Sequence, residues 1–123
     1  MTTQRKVAIL GASDKPDRYA YVLMKRLLAQ GHEVFPINPA LESIEGHKVY
    51  PSVESLPPGV DVLTVYMNAG RSDSLADVIL ASGIPKVVFN PGAENPGLES
   101  RLEQKGAEAV EACSLVLLGM NRL

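Results

Sequence analysis

Residues 7–10, Val-Ala-Ile-Leu, are apolar without a break and run straight into Gly11-Ala12-Ser13. An apolar run that does not alternate reads as a strand buried on both faces, as in the interior of a parallel sheet. The glycine after it permits a sharp turn and lets a ligand approach the backbone. A helical pattern follows. Ala20, Leu23, Met24, Leu27 and Leu28 recur at the spacing of one helix face and form an inward stripe. Ser13 or Asp17 is the expected N-cap, and Gly31 stands where a left-handed C-terminal cap is wanted. Strand, glycine turn and helix make the opening of a βαβ unit, whose helix start can receive a phosphate or a nucleotide.

The alternation continues. Residues 32–39 read as a second strand, which must end or lose a ladder bond at Pro36, a residue without an amide hydrogen. Asn38-Pro39 closes it as a turn. Residues 40–59 are the least regular, with a turn at Gly46, a packed anchor at Val49-Tyr50 and one short helical turn over 52–56. Residues 60–66 form a β-rich third strand. Ser72 is placed to cap a helix whose stripe includes Leu75, Val78 and Ile79 and which Gly83 ends. Residues 86–89 give a fourth strand and 90–94 another glycine-containing turn. Asn95-Pro96 is a cap followed by proline at the first helical position, with Leu98 and Leu102 facing inward and Gly106 as the stop. Residues 107–112 give a fifth strand, and 113–123 a short helix or a last extended segment. Such an order predicts an α/β fold of three layers, α/β/α, around a mainly parallel sheet of about five strands. Ligands of such sheets sit beyond the carboxyl ends of the strands, where the strand order reverses.

Length and composition bound the rest. The 123 residues make one expected domain over 1–123. A hydrophobic fraction of 46% supports a packed core. With 12 basic and 14 acidic residues and a formal charge of −2, the chain has no electrostatic footprint for duplex nucleic acid or an anionic membrane. No apolar run approaches the ~20 residues that span a bilayer, and residues 1–6 are polar, unlike a signal peptide. Cys113 is the single cysteine, so no internal disulfide forms and a cytoplasmic setting is expected. Two scattered histidines and one cysteine do not make a metal site.

The candidate chemistry gathers at the first turn. The dinucleotide fingerprint G-x-G-x-x-G is met only at Gly11; Ser13 and Pro16 occupy the other two glycine positions. Lys15 and Arg18 stand at a helix start, where cations oppose the helix dipole. A bound polyphosphate would explain them, and a guanidinium suits phosphate geometry; the plainer explanation is that Asp14 and Asp17 neutralise them. Binding of NAD usually places an Asp or Glu at the end of the second strand, ~20 residues past the glycines, to hold the ribose diol. This chain has Asn38-Pro39 there, which argues against NAD and admits a ribose-phosphorylated adenosine. Asn38 is equally a turn former. His32 and His47 read as structural or solvent-facing and Cys113 as a small buried hydrophobe. Glu94 is the one candidate general base, without a partner.

Four segments, Val7 to Ser13, Arg18-Tyr19-Ala20-Tyr21, Gly31 to Pro39 and Gly46 to Ser52, together resemble the stand-alone CoA-binding domain proteins. These are similar in fold to the N-terminal CoA-binding domain of the succinyl-CoA synthetase α subunit. The resemblance implies a Rossmann-like domain that binds coenzyme A, or an acyl-CoA, at the strand ends. On that likeness Gly11, Ala12 and Ser13 would meet the phosphates through backbone and hydroxyl. Arg18 would pair with phosphate charge, beside Lys15 and Tyr19. Asn38 and Pro39 would line the adenosine side, and Lys48 would supply a further phosphate contact. Many relatives carry Trp and Gln near the end of the fourth strand, where this chain has Phe89-Asn90-Pro91-Gly92. The catalytic phosphohistidine of the synthetases belongs to a separate domain, so no ligase activity carries over. A binding module without chemistry of its own is the expectation, with a homo-oligomer left open. The alternatives are a small NAD(P)-dependent oxidoreductase and a regulatory protein-interaction domain with a vestigial nucleotide pocket.

Overall fold

The computed structural model describes residues 4–123; Met1, Thr2 and Thr3, the start of the polar N-terminus, lie outside the described residues. Five strands build the central sheet: β1 (Lys6–Leu10), β2 (Glu33–Ile37), β5 (Val62–Val65), β6 (Lys86–Phe89) and β7 (Glu108–Glu111). All pairings are parallel, in the order β2-β1-β5-β6-β7. The short strands β3 (Ser43–Ile44) and β4 (His47–Lys48) form a separate antiparallel hairpin. The helices are α1 (Tyr19–Ala29), α2 (Ala69–Asp73), α3 (Ala76–Ala81), α4 (Pro96–Gln104) and α5 (Ser114–Gly119), with a 3₁₀ turn at Val53–Ser55.

The sheet is the expected α/β, Rossmann-like core, and its strands alternate between two apolar layers. Val7, Ile9, Val62 and Val88 pack with Leu23, Met24 and Leu27 of α1 and Leu118 of α5. Ala8, Leu10, Leu63, Val65, Val87 and Phe89 pack with Val53, Ile79 of α3, and Leu98 and Leu102 of α4. Side chains of period two on the strands and 3.6 on the helices meet there. Each fully buried Leu or Met of α1 is worth about 1.5–3 kcal/mol.

Pro36 does not end its strand. It pairs in register with Ile9, and its carbonyl accepts the Tyr50 amide at 2.8 Å on the outer edge. The nitrogen of a strand residue points the same way as its carbonyl, so the missing N–H falls on that edge, where the ladder with β1 does not need it. The helix predicted to start at Ser72 starts earlier. Asn68 caps α2 by accepting from the Arg71 amide at 3.0 Å, and Ser72 is buried inside it, where its Oγ accepts from Asn95 Nδ2 at 2.9 Å. Asn95 caps α4, with Pro96 in its first turn, as its sequence predicts. Of residues 113–123, Ser114–Gly119 form a helix, α5.

β1 lies between β2 and β5 in the sheet, and the segments leaving β1 and β5 depart to opposite faces, α1 to one and α3 to the other. The crevice between them, above the C-terminal ends of β1 and β5, is the switch point of the fold. A cavity of about 800 Å³ lies at the other edge, before β5 and β6, lined by Leu56, Pro57, Val60, Val78 and Ile84. The two edges are separated by the length of the strands, so this cavity has no part in the glycine turn.

Candidate functional site

Gly11 holds φ at +89°, and a Cβ there would lie 2.8 Å from the carbonyl oxygen of Tyr66. The turn therefore approaches the end of β5 more closely than any side-chain-bearing residue permits. The Gly11 and Ala12 amides both donate to the Ile37 carbonyl, at 3.3 and 3.1 Å. These two N–H groups thus already have an acceptor in β2. Asn38 is likewise engaged. Its Nδ2 donates to the Ala12 carbonyl at 2.9 Å and its Oδ1 accepts from the Ala40 amide at 2.8 Å. Asn38 thus clamps the β2 turn to the glycine turn with one of its two Nδ2 hydrogens. Pro39 is exposed beside it.

The free donors lie one step further on. Ser13 Oγ accepts the Lys15 amide at 3.1 Å, which bends the loop towards α1. The N-cap of α1 is Arg18, not Ser13 or Asp17, and no side chain bonds to it. Among the described residues the amides of Ser13, Asp14, Tyr19, Ala20 and Tyr21 meet no protein acceptor. An eleven-residue helix with no acid in its first turn thus presents its positive end bare. Lys15 and Arg18 are exposed and form no salt bridge among the described residues, so Asp14 and Asp17 do not neutralise them by contact. Tyr19, the first helical residue, is 73% exposed. Lys48 follows the β3–β4 turn and is exposed. Its ammonium lies 4.8 Å over the Tyr50 ring, and Tyr50 packs on the sheet face opposite α1.

Other candidates resolve to structural roles. His32 is buried, and its Nδ1 accepts the Arg5 amide at 2.9 Å. His47 is exposed in the hairpin. The Glu94 carboxylate accepts the Gly92 amide at 2.9 Å and holds its own turn. Cys113 is partly exposed rather than buried as expected. No group of three or more His, Cys, Asp or Glu among the described residues can hold a metal, and no helix is long and apolar enough to cross a membrane.

Sequence reasoning missed two features at this edge. Asn90, 2% exposed, donates from Nδ2 to the Val65 carbonyl at 2.9 Å and accepts the Ser114 amide at 2.8 Å. It joins the end of β5 to the start of α5. Tyr66, the residue after β5, places its hydroxyl beside Ser114 near Cys113; burial pushes its phenol well above the usual range, against the lowering effect of the Ser114 hydroxyl, and Cys113 adds to the rise. The Tyr66 and Ser114 hydroxyls are buried without a well-formed hydrogen bond.

A third group titrates. Burial first, then a bond and like charge from Glu111, raise the carboxyl of Glu99, against the lowering effect of the Asn95 amide that it accepts at 2.9 Å. An acid raised in the fold binds its proton more tightly when folded. The pair therefore opposes folding above that raised value and ceases to as pH falls below the unfolded one. Glu111→Gln is expected to raise the melting temperature at pH 7 but not at pH 3. Because Glu111 is exposed and solvent screens its charge, the gain is below about 0.5 kcal/mol; thermal melts of both proteins at the two pH values check it.

The comparisons agree with this architecture. The model of the family described as CoA binding domain matches residues 5–119. The Bacillus subtilis protein YneT is 24% identical over 106 residues, 86% of this chain and 78% of its own length. The α subunit of the ADP-forming acetate–CoA ligase I of Pyrococcus furiosus is 30% identical over 95% of this chain, which spans 27% of that subunit. A solved structure of an uncharacterised protein superposes with a TM-score of 0.91 at 35% identity, covering 98% of this chain and 99% of the other. A hypothetical protein from Pyrococcus horikoshii gives 0.88 at 28% identity over 97% and 84%. On the match over nearly its whole length, the chain belongs to the CoA binding domain family.

Proposed function

We propose that this chain is a non-catalytic coenzyme A-binding module, taking CoA or an acyl-CoA at the C-terminal edge of β1 and β5. The observation that carries the reading is the bare start of α1 flanked by Lys15 and Arg18. Free amides, a helix dipole and two unpaired cations form a donor set for a pyrophosphate or a ribose phosphate. The residues fit that group: Ser13 and the first turn of α1 supply N–H donors, Arg18 and Lys15 supply charge, and Tyr19 offers an exposed ring to a base. Gly11, Ala12 and Asn38 act one layer below, holding the turn in shape. Pro39 flanks the adenosine side, and Lys48 is left out of the group.

Against an NAD(P)-dependent oxidoreductase stands the end of β2, where Asn38 is occupied by Ala12 and Ala40 and no carboxylate is present to hold a ribose diol. Thermal shifts with CoA, NAD and NADP discriminate. A ligand at a hundredfold excess over its Kd stabilises by about 2.7 kcal/mol, and CoA alone is expected to do so. Stabilisation by NAD and not by CoA would replace this reading with the oxidoreductase one. Arg18→Ala is expected to weaken CoA binding by about 1–3 kcal/mol, the range of a charge-assisted contact, with the melting temperature of the free protein unchanged. Unaltered affinity removes Arg18 from the site.

A further inference from the structure

Cys113 lies between Ala112, whose amide bonds the Phe89 carbonyl at 3.1 Å, and Ser114, whose amide bonds Asn90 Oδ1 at 2.8 Å. The thiol therefore sits over the C-terminal end of β6, on the same edge as the Gly11 turn. One strand, β5, separates β1 from β6, and at about 4.8 Å per strand the two ends are roughly 10 Å apart. Tyr66, at the end of β5, spans that interval: its backbone is against Gly11 and its hydroxyl is beside Ser114.

A second, independent observation marks the place. Ser114 is 0% exposed, and its Oγ and the buried Tyr66 hydroxyl lie beside one another, neither with a well-formed hydrogen bond. Orphaned buried hydroxyls each cost about 1–3 kcal/mol, and in a native fold they call for a missing acceptor. Coenzyme A bound by its phosphates at α1 carries an arm longer than the interval to β6. That arm ends in a thiol, with an amide group whose nitrogen lies two carbons before it and whose carbonyl can accept from a hydroxyl.

We propose that Cys113 is a thiol-exchange site for coenzyme A, held in a mixed disulfide with the ligand's sulfur while the Tyr66 and Ser114 hydroxyls receive the neighbouring amide. The inference rests on the coenzyme A reading above. The oxidant is a disulfide of coenzyme A. The Cys113 thiolate attacks one sulfur, the S–S bond of the reagent breaks, and the protein–CoA disulfide forms. The other half leaves as a thiolate and takes up the proton that Cys113 released. Cys113 and the sulfur it attacks form the new bond, and the two electrons lost by the cysteine reduce the leaving half.

The test is intact-mass spectrometry of the protein after exposure, without reductant, to CoA disulfide or to glutathione disulfide at equal micromolar concentration, beside calorimetry with CoA. A bound ligand reaches an effective concentration in the millimolar range. The expected result is an adduct of a single CoA moiety, formed at least about tenfold faster than the glutathione adduct. It is reversed by dithiothreitol, abolished in Cys113→Ser, and slowed to the glutathione rate by adenosine 3′,5′-bisphosphate, which has no thiol. Equal rates with the two disulfides, or no adduct while calorimetry shows CoA binding, overturn the proposal and leave the coenzyme A reading standing. No CoA binding by the folded protein overturns both.

Discussion

Gly11→Ala is expected to destabilise the protein by about 3 kcal/mol and to lower its melting temperature by roughly 10 °C. Two terms add. The backbone at φ +89° is one that a Cβ-bearing residue adopts only with strain, of order 1–3 kcal/mol. The added methyl also meets the Tyr66 carbonyl at 2.8 Å, and that carbonyl belongs to backbone that cannot retreat. The Tyr66 amide is bonded to Leu10 at 2.9 Å, and Asn90 holds Val65 one residue before it. Relief would have to come from separating the ends of β1 and β5, the two strands that form the crevice. The variant that remains folded at low temperature should therefore also lose affinity for CoA. Thermal denaturation followed by circular dichroism measures the first effect and calorimetry the second; a melting temperature within a degree or two of the parent would contradict the strained turn.

Asn90→Ala should cost a similar amount, about 3 kcal/mol, by a different route. The Val65 carbonyl keeps the backbone amide of residue 90, at 3.3 Å. The Ser114 amide loses its one acceptor and is left buried and unpaired, which costs about 1–3 kcal/mol, and the truncated side chain leaves a void in a close-packed site. The damage is directional. Hydrogen exchange should rise first in α5, whose start Asn90 holds, while α4, capped by its own Asn95, stays protected. Asn90→Asp separates the two bonds: it keeps an acceptor for Ser114 but turns a donor into a second acceptor facing the Val65 carbonyl. It is expected to fall between parent and Asn90→Ala. Uniform loss of protection across all helices in Asn90→Ala would contradict the local role.

The layers and the succession of strands and helices were legible because period and punctuation are local. The stripe from Ala20 to Leu27, the Asn95-Pro96 start and the apolar runs of β1 and β6 are read from neighbouring residues, and they form as expected. What was hidden depends on distant partners. Ser72 has the chemistry of a cap yet serves as an acceptor for Asn95, brought to it from another element. The β3–β4 hairpin turns through Glu45 and Gly46, both at positive φ. Glutamate is a poor residue for such a turn, and Tyr21 and Lys25 of α1 hold its carboxylate. Asn38 looked like a ligand-facing residue because its place on β2 is the ribose position of the fold. Its hydrogen bond to Ala12 exists only once β1 and β2 are paired, while the one from Ala40 is local to the turn. The Tyr66, Asn90 and Ser114 group was invisible for the same reason, since three strand or helix ends must meet to make it.

Isothermal titration of the folded protein with coenzyme A, with adenosine 3′,5′-bisphosphate and NAD as parallel titrants, addresses the central claim most directly. Saturable binding of CoA at one site per chain, weaker binding of the bisphosphate and none of NAD is the predicted outcome. No heat with CoA, from a sample whose circular dichroism shows the α/β fold intact, would contradict the account.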